Sequence, residues 1–190
     1  MKTVKEFAEN SYSDVSVGLF TNSSMLFNEH VLIAFSPLDH VEAKIDAIDE
    51  LKFNAINMPD ESLTLRKILN GLKNFRKTFD GEIAMQVMLL RLGSFSNAEK
   101  SDAEALKSIE PDHVHLYTVY RKPRLSIVKP IPKEEIKRFA SILTREGVQK
   151  RKHILSKILN TACNTSMLES RCEVSCSNLR ENRKFLISEG

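Results

Sequence analysis

A lysine and two carboxylates alternate with apolar residues in one short segment of the sequence. Glu42, Lys44 and Asp46 take every second position of the run "HVEAKIDA". Because successive side chains of a β-strand point to opposite faces, these three charged groups share one face of a predicted strand. Charges along an interior face favour a ligand pocket, since burying them in a packed core is costly. The alternative is that they pair with one another and with a neighbouring strand to satisfy a polar interior.

Other residue types that could do chemistry give weaker signals. Cys163, Cys172 and Cys176 lie near the C-terminus, and an odd number of cysteines fits no disulfide framework. The run "CEVSC" has no fourth ligand nearby, which favours free thiols over a metal site. His115 is more typical of a hydrogen-bonded core histidine than of a ligand. The sequence has no glycine-rich phosphate loop and no G-x-S-x-G motif, so nucleotide-hydrolysing and serine-hydrolase chemistry find no support.

The composition describes an ordinary globular chain that can bury a core. Of its 190 residues, 42% are hydrophobic and 28% are charged. The formal net charge of +3 is too small to indicate nucleic acid by itself. No apolar run approaches the roughly 18 residues that cross a bilayer, and "MKTVKEFAENSYSD" contains no apolar signal core. These features predict a cytoplasmic protein without a membrane partner.

Strand-like and helix-like segments alternate between residues 15 and 147. This alternation predicts parallel strands joined by right-handed crossovers. Each strand has one apolar and one polar face, whereas the central strands of an open doubly wound sheet are apolar on both. The pattern therefore predicts an α/β fold, a partial TIM-like barrel of about four parallel β/α units over residues 1–147. The predicted strands are 15–22, 40–46, 82–90 and 113–120, and the predicted helices are 27–35, 62–79, 98–109 and 132–147.

A second, helical unit is predicted at residues 148–190. "KHILSKILNT" and "TSMLESRCE" suit a helix and a short helix, and "SNLRENRKFLISEG" suits a longer one. This order resembles a winged helix-turn-helix without its wing. Arg180, Asn182, Arg183 and Lys184 would then lie on the outward face of the last helix. DNA binding is one expectation for this unit, and packing or protein contact is the alternative.

Segments between residues 5 and 145 carry a family resemblance. They are "TNSS", "KIDAIDELKFNAINMP", "ILNGLKNF", "VMLLRLGSFSNAE", "PDHVHLYTVYRKP" and "VKPIPKEEI". In this order and spacing they resemble radical S-adenosylmethionine (radical SAM) enzymes, in particular iron–sulfur oxidoreductases grouped with the molybdenum-cofactor biosynthesis family. The resemblance implies a partial barrel that binds S-adenosylmethionine beside a [4Fe–4S] cluster held by a cysteine loop after its first strand. The family has a glycine where Ser23 stands here.

The cluster-binding cysteine loop of the family has no match in this sequence. "CEVSC" lies at the other end of the chain. The resemblance therefore implies a truncated or split form, with a [4Fe–4S] cluster only if a missing N-terminal part or a partner supplies the cysteines. The alternative is a non-catalytic or regulatory protein acting through the C-terminal helix-turn-helix. A bare strand edge near Val15 also predicts association, as a homodimer or with a complementing N-terminal half.

The resemblance also implies which residues face the ligands. Lys44 and Asp46 would meet the two charges of the amino-acid moiety of the cofactor. Tyr117 and Arg121 would contact the substrate, and a solvated surface charge is the alternative for Arg121. A turn or cap residue is the alternative for Asn22. The expected cofactor-binding residues are Thr21, Asn22, Lys44, Asp46, Gln86, Met88 and Asn97.

Overall fold

A computed structural model of the chain describes residues 2–11, 15–93, 95–96, 100–119, 121–148 and 184–187. Asn97 and most of the predicted C-terminal unit lie outside these residues. The helices are α1 (Lys2–Ser11), α2 (Glu29–Phe35), α3 (Glu50–Asn57), α4 (Leu65–Thr78), α5 (Lys100–Lys107) and α6 (Lys133–Arg145). The strands are β1 (Val15–Thr21), β2 (His40–Lys44), β3 (Glu82–Leu92), β4 (Phe95–Ser96), β5 (His113–Thr118), β6 (Val128–Pro130) and β7 (Lys184–Ile187).

A parallel sheet in the order β1, β2, β3, β5 forms the centre of the fold. β7 adds a parallel strand outside β1, and β4 and β6 pair antiparallel with the last residues of β3. At least one helix lies between each central strand and the next along the chain, because a parallel pair needs a crossover connection. The fold is α/β with the architecture of a partial TIM-like barrel, which confirms the predicted fold class.

The ends of the helices follow from local side-chain chemistry. Asn28, Asp49 and Thr64 each accept a hydrogen bond from a backbone N–H in the first turn of α2, α3 and α4. Pro132 occupies the N-cap of α6, and Gly147 follows that helix with a φ of 70°. A side chain at Gly147 would be strained in this left-handed conformation, so glycine suits the end of the helix.

The hydrophobic core lies on one face of the sheet, under the helices. Phe75 of α4 stacks on Phe79 with ring centroids 4.6 Å apart. Phe139 of α6 is 0% exposed and belongs to the same cluster of buried residues. The strands contribute Val17, Leu19, Val41, Ala43, Ile83, Met85, Val87, Val114 and Leu116 to it. These are alternate residues of each strand, which confirms that one face of every central strand is apolar.

The structure contradicts the helix predicted at residues 184–187. They were expected in the last helix of the C-terminal unit, and they form the strand β7 instead, with Val15 opposite Lys184. The backbone of β1 offers unpaired N–H and C=O groups at its edge, and pairing there outweighs the local helical pattern. The predicted bare edge near Val15 is thus covered from within the chain. Association with a partner stays a prediction.

Several further elements lie where the sequence pattern predicts none. These are α1, α3, β4 and β6. Phe53 is the one buried residue of α3, so this helix has no apolar stripe for a sequence pattern to reveal. Across the described ranges, no helix combines the length and the apolar character that a membrane crossing needs.

Candidate functional site

The register of the sheet places polar side chains from neighbouring strands on one face, opposite the core. Lys44 of β2 lies beside Gln86 of β3, which in turn lies beside His115 of β5. Two residues further toward the carboxyl ends of these strands, Met88 lies beside Tyr117. Because paired residues of adjacent strands share a face, the side chains of Glu42, Lys44, Gln86, His115 and Tyr117 form one surface, here called the polar face.

Four of these side chains form a hydrogen-bonded chain across β2, β3 and β5. Glu42 Oε1 accepts a hydrogen bond from Gln86 Nε2 at 3.1 Å and lies 2.9 Å from His115 Nδ1. The Tyr117 hydroxyl donates to Gln86 Oε1 at 3.3 Å. Glu42 is only 8% exposed, so these partners satisfy a nearly buried carboxylate. His115 is therefore hydrogen-bonded, as the sequence predicts, but it lies on the polar face rather than in the core.

Lys44 and Asp46 contact each other at the carboxyl end of β2. The Lys44 ammonium donates to Asp46 Oδ2, while Asp46 Oδ1 accepts the backbone N–H of Met88 at 3.0 Å. Asp46 is 2% exposed, whereas the side chain of Lys44 is 32% exposed. Lys44 and Asp46 thus pair with each other, as the alternative drawn from the sequence has it, and cofactor binding by these two residues stays a prediction. Of the two groups, the ammonium of Lys44 is the one open to a ligand.

Burial shifts the pKa values of groups on this side of the sheet. Burial and, to a smaller extent, the negative charge of Glu42 together raise the pKa of Tyr117 to about 12. Tyr117 is therefore a neutral hydroxyl at any physiological pH. Burial also lowers the pKa of Lys44. It lowers the pKa of His40 as well, because its effect there exceeds the opposite effect of the neighbouring carboxylates Glu42 and Glu82.

The residues after β1 form a tight turn. Thr21 pairs with Ala43, which places it on the core side of the sheet rather than on the polar face. Asn22 Oδ1 accepts hydrogen bonds from the Ser24 backbone N–H at 3.0 Å and from the Ser24 hydroxyl at 2.7 Å. This is the turn role that was the alternative for Asn22. Cofactor binding by Thr21 and Asn22 stays a prediction.

Ser23 takes the conformation that a glycine would favour. Its φ is 67°, in the left-handed region, and it is 0% exposed. Its hydroxyl donates to the backbone oxygen of Lys44 at 2.7 Å, which ties the turn after β1 to the end of β2. The hydrogen bond thus offsets the backbone strain that a serine suffers in the left-handed region.

Substitutions at Ser23 separate these two effects. Ser23→Ala keeps the strain and removes the hydrogen bond, so we expect it to lower the free energy of unfolding by about 1–2 kcal/mol. Ser23→Gly removes both, and we expect a loss about 1 kcal/mol smaller than for alanine. Urea unfolding followed by circular dichroism measures both values. A glycine variant less stable than the alanine variant would contradict the assigned backbone strain, and an alanine variant as stable as the unchanged protein would contradict the role assigned to the hydrogen bond.

A cavity of about 790 Å³ lies next to the polar face, at the carboxyl ends of β3 and β5. Met88, Tyr117 and Arg121 all line it, so three of the predicted ligand-contacting residues border the same cavity. Gln86, Lys44 and Asp46 lie on or beside the polar face. Asn97 lies outside the described residues, and its role stays a prediction.

The sequence pattern alone did not single out the chain of hydrogen bonds centred on Glu42. Each member was visible as a polar residue at an alternate strand position, but the pairing of Glu42 with His115 joins residues 73 positions apart. Phe20 was missed as well: it lies opposite Glu42 in the register and is 49% exposed. A register prediction for β1, β2, β3 and β5 is the signal that could have found these contacts.

The described residues do not fit a [4Fe–4S] cluster. Such clusters need cysteine ligands, and Cys163, Cys172 and Cys176 all lie outside the described residues. Within those residues, no group of three or more histidine, cysteine or carboxylate side chains could hold a metal ion.

Fold and site together define an α/β partial barrel with a candidate small-molecule site on its polar face. No protein-family model matches the chain. A UPF0026 protein of Methanocaldococcus jannaschii is 36% identical over 126 residues, 65% of this chain and 38% of that protein. The GTPase Obg of Brachyspira hyodysenteriae is 30% identical over 127 residues, 66% of this chain and 19% of that protein. The chain thus spans well under half the length of these curated relatives.

A solved structure shares the fold. A domain of pyruvate-formate lyase-activating enzyme from Bacteroides vulgatus superposes with a TM-score of 0.57 at 14% identity, covering 78% of this chain and 85% of that domain. At this identity the likeness shows the fold alone. A radical SAM methyltransferase from Sphaerobacter thermophilus gives a TM-score of 0.47 at 14% identity, covering 70% of this chain and 38% of that one.

Proposed function

We propose that this chain is a radical SAM-type protein whose polar face binds S-adenosylmethionine. The observation that carries the proposal is the row of charged and hydrogen-bonding side chains on one face of a sheet whose other face is core. The sequence resemblance, in particular to the iron–sulfur oxidoreductases grouped with the molybdenum-cofactor biosynthesis family, supports the same ligand. So does the shared fold with a domain of an activating enzyme.

The donor set of the polar face suits the amino-acid part of S-adenosylmethionine. The Lys44 ammonium is held by Asp46 and remains partly exposed, so it can pair with the carboxylate of the ligand. Beside the hydrogen bonds they already make, the hydroxyl oxygen of Tyr117 can accept a hydrogen bond from the ligand, and the second N–H of the Gln86 amide can donate one to it. Asp46 acts by orienting Lys44, because both of its oxygens are engaged.

Bound S-adenosylmethionine supplies a 5′-deoxyadenosyl group in the chemistry of radical SAM enzymes. The part assigned to this chain's own residues is binding and orientation. The cluster ligands would come from a further, N-terminal part of the protein or from a partner chain. DNA binding by the predicted C-terminal unit stays a prediction, since nearly all of that unit lies outside the described residues.

Calorimetric titration with S-adenosylmethionine tests the proposal. We expect binding to the full chain, and a loss of at least about tenfold in affinity for Lys44→Met, which removes a charge-assisted hydrogen bond. Lys77→Met, which removes an exposed lysine of α4, is the matched control and should bind as the unchanged protein does. Equal affinity for both variants, or no binding by a chain that circular dichroism shows to be folded, would refute the proposal.

The pH dependence of S-adenosylmethionine binding reports the protonation of Lys44. A carboxylate ligand pairs with Lys44 only while the lysine is protonated. Burial lowers the pKa of Lys44 below its ordinary value of 10.5, so binding should weaken as pH rises through this lowered pKa. The loss should therefore begin at a lower pH than an exposed lysine would give, and Lys44→Met should remove this pH dependence.

A further inference from the structure

The cavity beside the polar face has a different chemistry from the face itself. Along β3, the side chains on the same face as Gln86 change from polar to apolar: Met88, Leu90 and Leu92 follow at alternate positions, and all three line the cavity. Ile56 and Met58, at the end of α3, also line it. This wall would exclude water from the body of a ligand.

Basic side chains meet this apolar wall within one segment. Arg121, Lys122 and Arg124 follow β5, line the cavity and are exposed. Leu125 and Val128, from the same segment, are also lining residues. Among the described residues that line the cavity, none is acidic, so the local charge is positive. Arginine is well suited to hold a carboxylate through two parallel hydrogen bonds.

We propose that this cavity binds an amphipathic anion, a small molecule with an apolar body and a carboxylate. Its volume of about 790 Å³ falls in the range of small-molecule sites. The apolar body would lie against Met88, Leu90 and Leu92, and the carboxylate would face Lys122 and Arg124. A neutral apolar ligand would leave the cations unused, and a cationic ligand would be repelled.

The cavity adjoins the polar face, and this position bears on the role of its ligand as a substrate. Met88 and Tyr117 belong to the cavity wall and lie directly beyond Gln86 and His115 on the strands that form the polar face. A molecule bound in the cavity is therefore adjacent to the one proposed for the polar face. Its role as the substrate rests on the proposed function, whereas its binding does not.

Matched probes that differ only in the head group test the charge preference. Octanoate, octanol and octylammonium have the same apolar chain, and each would be titrated into the full chain while amide signals are followed by NMR. We expect octanoate to bind at least about tenfold more tightly than octanol, and octylammonium to bind least. Shifts should concentrate at residues 88–92 and 121–128. Equal affinity for octanoate and octanol, or shifts spread over other regions, would overturn the proposal.

A charge-reversal variant tests the basic segment. Lys122→Glu/Arg124→Glu should weaken octanoate binding at least about tenfold and reduce the preference over octanol. The matched control Arg66→Glu/Lys77→Glu makes the same change in net charge at exposed positions of α4, and it should bind octanoate as the unchanged protein does. An equal loss in both variants would show a general charge effect and would refute the site.

The same preparations distinguish this inference from the proposed function. If octanoate binds as expected and S-adenosylmethionine does not, the anion site stands and the radical SAM proposal fails. If S-adenosylmethionine binds and octanoate binds no better than octanol, the proposed function stands and the substrate class is wrong.

Discussion

Asp46→Ala should lower the free energy of unfolding by about 3 kcal/mol, because it leaves two neighbouring groups without their carboxylate. Asp46 is 2% exposed and accepts hydrogen bonds from Lys44 and from the backbone N–H of Met88. Removing it leaves a half-buried ammonium beside an N–H whose partner is gone. Urea unfolding followed by circular dichroism measures the loss. Asp80→Ala, at an exposed position, should change stability by less than about 0.5 kcal/mol.

A double-mutant cycle separates the ion pair from the other contacts of Asp46. Lys44→Met alone leaves a nearly buried carboxylate without its cation, so it should also destabilise the fold. The combined Lys44→Met/Asp46→Asn variant removes both charges and keeps an oxygen that can accept the Met88 N–H. We expect it to cost less than the sum of Lys44→Met and Asp46→Asn by about 1 kcal/mol or more. Additive losses would mean that the two charges are not coupled.

Gly71→Ala is expected to destabilise the protein by about 2 kcal/mol, although alanine favours a helix more than glycine does by about 1 kcal/mol. A Cβ at Gly71 would lie 2.7 Å from the carbonyl carbon of Leu26, 2.8 Å from its oxygen and 2.8 Å from the nitrogen of Phe27. All three are backbone atoms, so no side-chain rotation relieves the clash. α4 and the segment after the Ser23 turn would have to move apart.

Asn74→Ala gives the matched control on the same helix. Asn74 is exposed, so only helix propensity should act there and the variant should be slightly more stable than the unchanged protein. A Gly71→Ala variant that gains stability as Asn74→Ala does would show that α4 does not approach the Leu26 backbone closely.

The backbone of Leu26 continues from the Ser23 turn. S-adenosylmethionine titration of Gly71→Ala therefore also shows whether this turn contributes to binding.

The polar face illustrates what alternation can and cannot predict. Strand alternation predicted that Glu42 and Lys44 share a face, because a strand repeats every two residues whatever surrounds it. It left open whether Lys44 and Asp46 meet a ligand or each other. The contact between them depends on how far the ammonium reaches and on the N–H that Met88 presents from β3, and neither is a property of the local sequence.

Residues 184–187 and Gly71 show tertiary contacts overriding local pattern. "KFLI" can be read as part of a helix, and it forms β7 because β1 offers an unpaired edge. Gly71 is a poor helix former in the middle of a strongly amphipathic helix, and only the close approach of Leu26 explains it.

The sequence by itself determined the α/β class, the central strands, the helices α2, α4, α5 and α6, and the side of each strand that is buried. These follow from hydrophobic periodicity and capping, which act over a few residues. The tertiary structure alone decided the register that joins Glu42 to His115, the coverage of the β1 edge, and the apolar cavity with its basic segment. Those features bring together residues far apart in the chain, and local periodicity carries no information about which distant strands become neighbours.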